Sequence, residues 1–315
     1  MGATFLEYRT LGKTGLKVSA LGLGASSLGG GVFGPVDERQ AVRTVHTALD
    51  HGINLIDVAP FYGDTRAETV LGKALTGIPR DRYLLGTKVG RYGDTNFDFS
   101  AKRITTSVDE SLARLGVDYV DFIQSHDNEY GDLNQIVGET LPALRRIQEQ
   151  GKARFVGVTG YPLKIFREIL SQTDVDTILS YNHYSLNDTT LLQLLPLLEG
   201  KNVGIINACP VSQGLLTNQG TPEWHSAPEP TKRVCSEVAA YCRERGADIS
   251  KLAMQFALAN SRIHTVIVGT ASSEIIEKDI RWIDEPLDQE LLAKVQSMMA
   301  GIKDQTWMVG RPENN

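Results

Sequence analysis

Four side chains with complementary acid–base chemistry follow consecutive short apolar segments of this sequence. They are an acid, a phenol, an amine and an imidazole, at Asp57, Tyr62, Lys88 and His126. A free phenol has a pKa of about 10, but a neighbouring ammonium group favours the phenolate and lowers that pKa. We expect Lys88, held by Asp57, to act on Tyr62 in this way. His126 would then orient a substrate oxygen. Such a set suits reversible hydride transfer between a carbon and a nicotinamide, with the phenol handling the proton.

Taken singly, each of these residues has an ordinary structural explanation. Asp57 and Lys88 could form a structural ion pair. His126 could be a buried, hydrogen-bonded imidazole, and Tyr62 could be a loop aromatic. Together they favour catalysis, because the carboxyl ends of neighbouring parallel strands meet on one face of a barrel. The elements that position the four residues should therefore be parallel strands.

Short apolar segments alternate with amphipathic helical segments along the chain. The predicted strands are residues 18–25, 54–58, 83–89, 120–126, 154–159, 177–182, 203–209 and 264–269. Predicted helices between them include residues 37–51, 101–115, 133–150 and 230–245. Eight strand–helix units in 315 residues predict an α/β fold, a (β/α)8 TIM barrel, as a single domain over residues 1–315. A doubly wound sheet fits less well, because residues 22–27 lack the third glycine of a Gly-x-Gly-x-x-Gly turn.

Three further segments are interpreted from their turn residues and spacing. Residues 8–18 predict an N-terminal β-hairpin that turns at residues 12–15 and plugs the N-terminal mouth of the barrel. Loop insertions at residues 91–99 and 214–229 should emerge at the C-terminal face, where barrel enzymes build their sites. The polar tail at residues 312–315 is expected to be disordered.

The composition argues against several classes of partner. A net charge of -6 and the lack of a dense basic stretch disfavour nucleic acid and anionic membranes. No apolar run approaches the roughly 18 residues that span a bilayer, and residues 1–6 carry no secretory signal. Cys209, Cys235 and Cys242 form no CxxC motif, so we expect reduced thiols and a cytoplasmic location. The histidines show no metal-ligand spacing, and we expect no metal.

Several segments resemble signatures of the aldo-keto reductase family. They are residues 52–63 (GINLIDVAPFYG), 86–88, 118–126, 151–159 and 210–216. The resemblance runs from about residue 8 to about residue 300. It implies the barrel fold, with Tyr62 as the general acid–base. It also implies that Asp57, Lys88 and His126 are the catalytic partners of Tyr62.

Other segments resemble the sugar dehydrogenases of that family. They are residues 34–36, 90–92, 97–101, 126–127, 179–184 and 214–225. This resemblance implies that a small-molecule sugar, L-galactose or a close sugar such as L-fucose, is oxidised at C1 to a lactone. Tyr62 would remove the C1 hydroxyl proton as hydride leaves for NAD. Two alternatives remain open: an NADPH-dependent sugar or aldehyde reductase, and a non-catalytic, cofactor-binding regulatory subunit of the same fold. A monomer or a small homo-oligomer is expected.

The resemblance also implies cofactor contacts at the ends of the predicted strands. These positions are Gly24, Ala25, Asp57, Thr159, Tyr181, Pro210, Gly214, Leu215, Leu216, Gly269, Thr270, Ser272 and Glu277. The chain departs from the family where Tyr181 replaces a glutamine and Ala208 replaces a stacking tyrosine. NADP-preferring relatives carry a Lys or Arg after the eighth strand. Here Glu274 and Glu277 would repel a 2'-phosphate, so NAD is predicted, with Lys278 the one nearby residue that opposes this argument.

Aromatic and polar residues around the predicted C-terminal face form the candidate substrate site. Sugars stack on aromatic faces and need polar groups for their hydroxyls, which this mixture provides. The predicted contacts are Tyr62, His126, Arg91, Tyr92, Phe97, Asp127 and Trp224. His225 and Trp307 lie in segments that should border the same pocket.

Overall fold

A closed barrel of eight parallel strands forms the centre of the protein. The computed structural model describes residues 6–31 and 34–315. Around the barrel the strand order is β10-β3-β4-β5-β6-β7-β8-β9, and β1 and β2 form a separate antiparallel pair. The strands are β1 Tyr8–Thr10, β2 Lys17–Ser19, β3 Leu21–Gly24, β4 Leu55–Asp57, β5 Leu84–Val89, β6 Val120–Ser125, β7 Ala153–Gly160, β8 Thr177–Tyr181, β9 Gly204–Ala208 and β10 Thr265–Gly269. The predicted (β/α)8 barrel is thus confirmed.

Helices surround the barrel and shield its outer face. They are α1 Glu38–Asp50, α2 Arg66–Leu75, α3 Ala101–Leu115, α4 Leu133–Gln135, α5 Leu141–Glu149, α6 Leu163–Gln172, α7 Leu195–Gly200, α8 Glu229–Glu244, α9 Ile249–Leu258, α10 Ser273–Asp284 and α11 Gln289–Met298. A π-helical segment, Ile136–Thr140, joins α4 to α5. The start of α1 is set by Asp37, whose carboxylate accepts from the amides of Arg39 and Gln40 as an N-cap.

The N-terminal hairpin closes the far end of the barrel, as predicted. Leu11 and Val18 are fully buried. They belong to the cluster of side chains that fills the barrel interior, together with Leu55, Phe122, Leu179, Ile206, Ala208 and Ile267. Gly12 has a φ of +47°, and a Cβ there would clash with the backbone amide of Gly204 on β9. The hairpin therefore fits against the bottom of the strands without a gap.

One predicted strand was wrong in its extent. Residues 18–25 are two strands rather than one, because the chain changes partners at Ala20. The amide of Ala20 donates to the carbonyl of Glu7 in the hairpin, while its own carbonyl accepts from Val266 of the barrel. The alternation of apolar residues continues through this change of partner, so the sequence pattern carries no sign of it.

The predicted disorder of the C-terminal tail is also wrong. Residues Pro312–Asn314 form a 3₁₀ turn that packs onto the protein. Asn314 is 3% exposed, and its side-chain amide donates to the carbonyls of Glu129 and Gly131 at 2.9 Å each. Gly310, with a φ of +75°, lies so close to Glu129 that a Cβ would strike its carbonyl oxygen. Long-range hydrogen bonds fix a segment whose composition alone suggests solvation.

Two absences hold for the part of the chain that the structure describes. Within residues 6–31 and 34–315, no helix is long and apolar enough to cross a membrane. Over the same residues, no group of histidine, cysteine, aspartate and glutamate side chains is arranged to hold a metal ion.

Candidate active site

The four acid–base residues meet at the carboxyl ends of β4, β5 and β6. Asp57 is the last residue of β4, and Lys88 is the penultimate residue of β5. His126 directly follows β6, and Tyr62 lies in the turn after β4. The strand register places Gly24 of β3 beside Asp57, and Asp57 beside Gly86. Parallel pairing thus brings the predicted tetrad to one edge of the barrel.

Lys88 connects the acid to the phenol. Its side chain is 1% exposed, and its ammonium donates to Asp57, to the carbonyl of Val58 at 2.9 Å and to the Tyr62 hydroxyl at 3.2 Å. Burial lowers the pKa of Lys88, but the charges of Asp57 and Tyr62 and the hydrogen bonds to them raise it above its ordinary value. The ammonium therefore stays charged, because its desolvation is offset by three acceptors.

Tyr62 is neutral at physiological pH in this structure. Burial is the largest influence and raises the pKa of Tyr62 to about 12, while Lys88 acts in the opposite direction. The expected lowering by Lys88 is present, but it is smaller than the desolvation of the phenolate. The phenol is thus poised as a proton donor, and as an acceptor only after it has lost its own proton.

His126 is also uncharged and lies beside the phenol. The two rings meet edge to face, with centroids 5.6 Å apart and an interplanar angle of 86°. Burial, followed by the charges of Lys88 and Arg91, lowers the pKa of His126 to about 3, although Asp127 opposes this shift. Within the described residues, its Nδ1 atom has no hydrogen-bond partner. A neutral imidazole can orient a substrate oxygen by donating to it or accepting from it.

Gln124 is a supporting residue that the sequence interpretation missed. Its side-chain amide donates to the second carboxylate oxygen of Asp57 at 2.8 Å, and it is fully buried. Gln124 pairs with Lys88 across β5 and β6. The strand period of two could have revealed it, since Phe122 fills the barrel interior and Gln124 lies two residues further along the same face.

A charged pair lies in an aromatic setting next to His126. Arg91 donates to Asp127 at 2.6 Å. Its guanidinium lies 3.8 Å from the ring centroid of Phe61 and 5.5 Å from that of Phe97. Phe97 in turn stacks on Tyr130 at 4.5 Å. The predicted substrate residues Arg91, Asp127 and Phe97 are thus brought together beside the tetrad, as a wall with polar and aromatic faces.

The other predicted substrate residues are more dispersed. The Tyr92 hydroxyl accepts from the Gly90 amide at 3.1 Å and so supports its own loop. Trp224 is 44% exposed and stacks on His225, with ring centroids 6.0 Å apart. His225 is buried, and both its ring nitrogens are used by the backbone of Ser212 and Ala227. Trp307 packs against Tyr161 at 5.3 Å.

Several predicted cofactor residues lie where β3 and β10 end side by side. Gly24 pairs with Gly269 in the barrel register, and the buried Ala25 follows Gly24. The Thr270 hydroxyl accepts from the amide of Ser272 at 3.1 Å, and the Ser272 side chain caps helix α10. The amino end of α10 therefore faces the same edge of the barrel as Asp57, and its dipole favours an anion.

The charged residues named in the cofactor prediction lie on α10. Glu274 lies in the first turn of α10, and Glu277 is one helical turn from Arg281, at 4.0 Å. Lys278, the residue that opposed the argument, is engaged elsewhere. Its ammonium pairs with Asp248 at 3.0 Å and lies 4.4 Å from the ring centroid of Trp282.

The turn after β9 carries the remaining predicted cofactor positions. Pro210 opens the turn, and Gly214 adopts a φ of +105°. Leu215 and Leu216 are buried in a second hydrophobic cluster with α8, α9 and α11. The side chains of the two leucines are therefore committed to packing, which leaves the backbone of this turn as the part able to contact a ligand.

Thr159 and Tyr181, at the ends of β7 and β8, contact residues that follow His126. The Thr159 hydroxyl accepts from the amide of Asp127 at 2.9 Å. The Tyr181 phenol donates at 2.9 Å to Glu129, a fully buried carboxyl group that was not predicted. Burial and the charge of Asp127 raise the pKa of Glu129 to about 8. Glu129 lies in a turn, where no sequence period indicates burial.

Comparisons with known proteins agree with this geometry. The model of the aldo/keto reductase family matches residues 20–300. L-galactose dehydrogenase from Arabidopsis thaliana is 48% identical over 99% of this chain and 100% of its own length. D-arabinose 1-dehydrogenase from Saccharomyces cerevisiae is 31% identical over 78% of this chain and 79% of its own. The solved holo form of an aldo-keto reductase from Bacillus halodurans is 28% identical, with a TM-score of 0.79 over 96% of this chain and 98% of that one. This chain therefore belongs to the aldo/keto reductase family.

Proposed function

We propose that this enzyme oxidises L-galactose, or a close sugar such as L-fucose, at C1 to the lactone, with NAD as the hydride acceptor. The observation that carries the proposal is the buried contact between Lys88 and Tyr62, 3.2 Å apart, beside the neutral His126. Similarity to L-galactose dehydrogenase from Arabidopsis thaliana over nearly the whole chain supports the choice of sugar.

The chain's own residues supply the proton chemistry. Oxidation of the C1 hydroxyl removes one proton from oxygen and one hydride from carbon. His126 orients the C1 oxygen, and the deprotonated form of Tyr62 receives the proton. Lys88 stabilises that phenolate, since its ammonium already donates to the Tyr62 oxygen. Asp57 accepts from the ammonium, and Gln124 donates to Asp57 and so holds the carboxylate in place.

The aldo/keto reductase family uses nicotinamide cofactors, and several features of the site fit one. Gly24, Gly269 and the capped amino end of α10 lie at one edge of the mouth. A bound nicotinamide would supply the hydride acceptor at C1. Glu274 and Glu277 disfavour a 2'-phosphate near α10, and Lys278 is already paired with Asp248. These charges support NAD over NADP.

The wall formed by Arg91, Asp127 and Phe97 is the proposed binding surface for the sugar. Sugars present hydroxyl groups at the edge of the ring and C–H groups on its faces, so a polar pair next to aromatic rings complements both. Asp127 also lies 3.6 Å from the Nε2 atom of His126. The residues proposed to bind the sugar would thus lie next to His126, which is proposed to orient the C1 oxygen.

A reductase acting with NADPH is the second candidate, and one observation favours it. Burial raises the pKa of Tyr62 to about 12, and a neutral phenol is a ready acid for carbonyl reduction. The acidic residues of α10 oppose this candidate. A non-catalytic regulatory subunit would bind a nicotinamide cofactor tightly without turnover.

An assay with a panel of aldoses separates these candidates. The purified protein is mixed with each sugar and with NAD or NADP, and cofactor reduction is followed by absorbance; the reverse reaction is run with aldehydes. We expect the highest kcat/KM with L-galactose or L-fucose and NAD. Comparable kcat/KM with both cofactors would contradict the cofactor assignment. Faster reduction of aldehydes with NADPH would favour the reductase.

A variant of the proposed base tests the mechanism. We expect Tyr62→Phe to lower kcat by roughly 10²–10⁴-fold, the usual contribution of a general acid–base, while the cofactor still binds. Tyr83→Phe is the matched control, because Tyr83 is a buried tyrosine directly before β5, away from the mouth. Retention of most activity by Tyr62→Phe would rule out the proposed role.

A further inference from the structure

Glu129 is a buried acid that the proton chemistry of Tyr62 does not use. It is fully buried in the turn Asn128–Tyr130. One carboxyl oxygen, Oε1, accepts from the Tyr181 phenol at 2.9 Å and from the Tyr161 amide at 3.2 Å. Within residues 6–31 and 34–315, the other oxygen, Oε2, has no hydrogen-bond partner. Burying a carboxyl oxygen without a hydrogen-bond partner lowers the stability of the fold. A residue with a purely structural role would not need such an oxygen.

The surroundings of Glu129 fix it from two sides. Gly160, the last residue of β7, provides space for the carboxyl group, since a Cβ there would lie 2.5 Å from Oε2. On the other side, the carbonyl of Glu129 accepts from the Arg311 amide and the Asn314 side chain, both at 2.9 Å. The carboxyl group is therefore held between the barrel edge and the C-terminal segment.

The hydrogen bond to Glu129 determines how Tyr181 can act. A phenol has one O–H donor and an oxygen that accepts. Because the Tyr181 proton is directed to Glu129, only its acceptor capacity is left for a ligand. Tyr181 ends β8, packs against the cluster that fills the barrel interior and is partly exposed. Burial and the charge of Asp127 raise the pKa of Glu129 to about 8, so the carboxyl is largely uncharged at neutral pH.

We propose that Glu129 is a positioning residue that fixes Tyr181 as a hydrogen-bond acceptor for the amide N–H group of the nicotinamide. The proposal rests on the proposed use of NAD. The amide is the part of the nicotinamide that offers N–H donors. The wall proposed for the sugar lies next to β5 and β6, whereas Tyr181 and Thr159 end the neighbouring strands β7 and β8. Glu129 thus acts through Tyr181: it takes the hydroxyl proton of Tyr181 as a hydrogen-bond acceptor and leaves the Tyr181 oxygen to accept from the ligand.

A pair of cofactors that differ only in the N–H group tests this polarity. 3-Acetylpyridine adenine dinucleotide carries a methyl ketone in place of the amide. Dissociation constants for it and for NAD are measured by calorimetry, without substrate. We expect the wild type to prefer NAD. Glu129→Leu and Tyr181→Phe should each reduce that preference about fivefold, the value expected for one hydrogen bond. Glu129→Gln should retain it, because its amide oxygen still accepts from Tyr181.

A control separates positioning from general support. Asn314→Ala removes hydrogen bonds to the backbone of Glu129 and Gly131 but leaves the carboxyl group intact, so it should lower the melting temperature and keep the preference for NAD. Equal weakening of both cofactors by Glu129→Leu, or loss of the preference in Glu129→Gln, would overturn the proposal. Should Glu129→Leu fail to fold, Tyr181→Phe provides the same measurement. Failure of the wild type to bind NAD would instead contradict the proposed function, and this inference with it.

Discussion

Tyr62 and His126 are both uncharged because they share one buried pocket. Desolvation raises the pKa of the phenol to about 12 and lowers the pKa of the imidazole to about 3. The two shifts have one cause, since burial disfavours the charged form of an acid and of a base alike. The pocket therefore presents a neutral phenol and a neutral imidazole over the whole physiological pH range.

The pH dependence of sugar oxidation should follow Tyr62 alone. Below a pKa of about 12, the phenolate fraction grows about tenfold for each pH unit, so kcat/KM should rise with pH across the range in which the fold is intact. His126, with a pKa of about 3, should add no inflection between pH 5 and 8. The measurement is kcat/KM against pH for the wild type. A flat profile, or a step near pH 6.5, would contradict this assignment.

Glu129 should make the protein less stable at alkaline pH. Its pKa is raised from 4.5 to about 8, so the folded state retains a proton that the unfolded state loses. Ionisation of Glu129 therefore imposes no cost on the folded state below pH 4.5, and the free energy of unfolding falls as pH rises from there to about 8. We expect Glu129→Gln to show a smaller fall in melting temperature than the wild type between pH 6 and pH 9. The groups that act on the pKa of Glu129 are Asp127, Tyr161 and Tyr181. An identical fall in melting temperature for both proteins would contradict the raised pKa of Glu129.

At the scale of elements, the strand–helix alternation predicted the barrel because each buried parallel strand is apolar on both faces. The same logic located Asp57, Lys88 and His126, which lie at or just beyond strand ends. It failed for Glu129 and for the tail at residues 312–315, which lie in turns. Their burial depends on contacts between residues about 180 positions apart, and local periodicity contains no information about such contacts.

The C-terminal turn should stabilise the loop that follows His126. Asn314→Ala removes one donor from the Glu129 carbonyl, which keeps the Arg311 amide, and removes the side-chain donor to the Gly131 carbonyl. The loss of these buried hydrogen bonds costs about 1–3 kcal/mol. We expect a fall of a few °C in the melting temperature, measured by circular dichroism. Glu313→Gln is the matched control, because the Glu313 carboxylate pairs with Arg311 at an exposed site, and such pairs contribute little. Equal effects of the two variants would show that the turn is not a stabilising element.

At the scale of the whole molecule, the barrel interior is one continuous column of side chains. It begins at Leu11 and Val18 of the hairpin and reaches Ala208 and Tyr181 near the mouth. The hairpin and the predicted tetrad therefore lie at opposite ends of the same barrel, and barrel enzymes in general carry their sites at the C-terminal end.

Substitutions in the hairpin should lower the stability of the protein but leave its activity nearly unchanged. Leu11 is fully buried, so Leu11→Ala should lower the free energy of unfolding by about 2–5 kcal/mol. Well below the melting temperature, kcat/KM should stay near the wild-type value, because the tetrad lies at the other end. Leu16→Ala serves as the control, since Leu16 is only partly buried and should cost less. Chemical denaturation and steady-state kinetics provide the two measurements. A large loss of kcat/KM in folded Leu11→Ala would disprove this separation.

The closed lower end of the barrel also constrains the order of events during turnover. Because side chains fill the barrel from the hairpin up to the mouth, cofactor and sugar must both enter from the mouth. The reactant that sits deeper must arrive first and depart last. Turnover should therefore follow an ordered mechanism. The reactant that binds second leaves first, as product, and the reactant that binds first leaves last. Patterns of product inhibition would identify which partner occupies the deeper position.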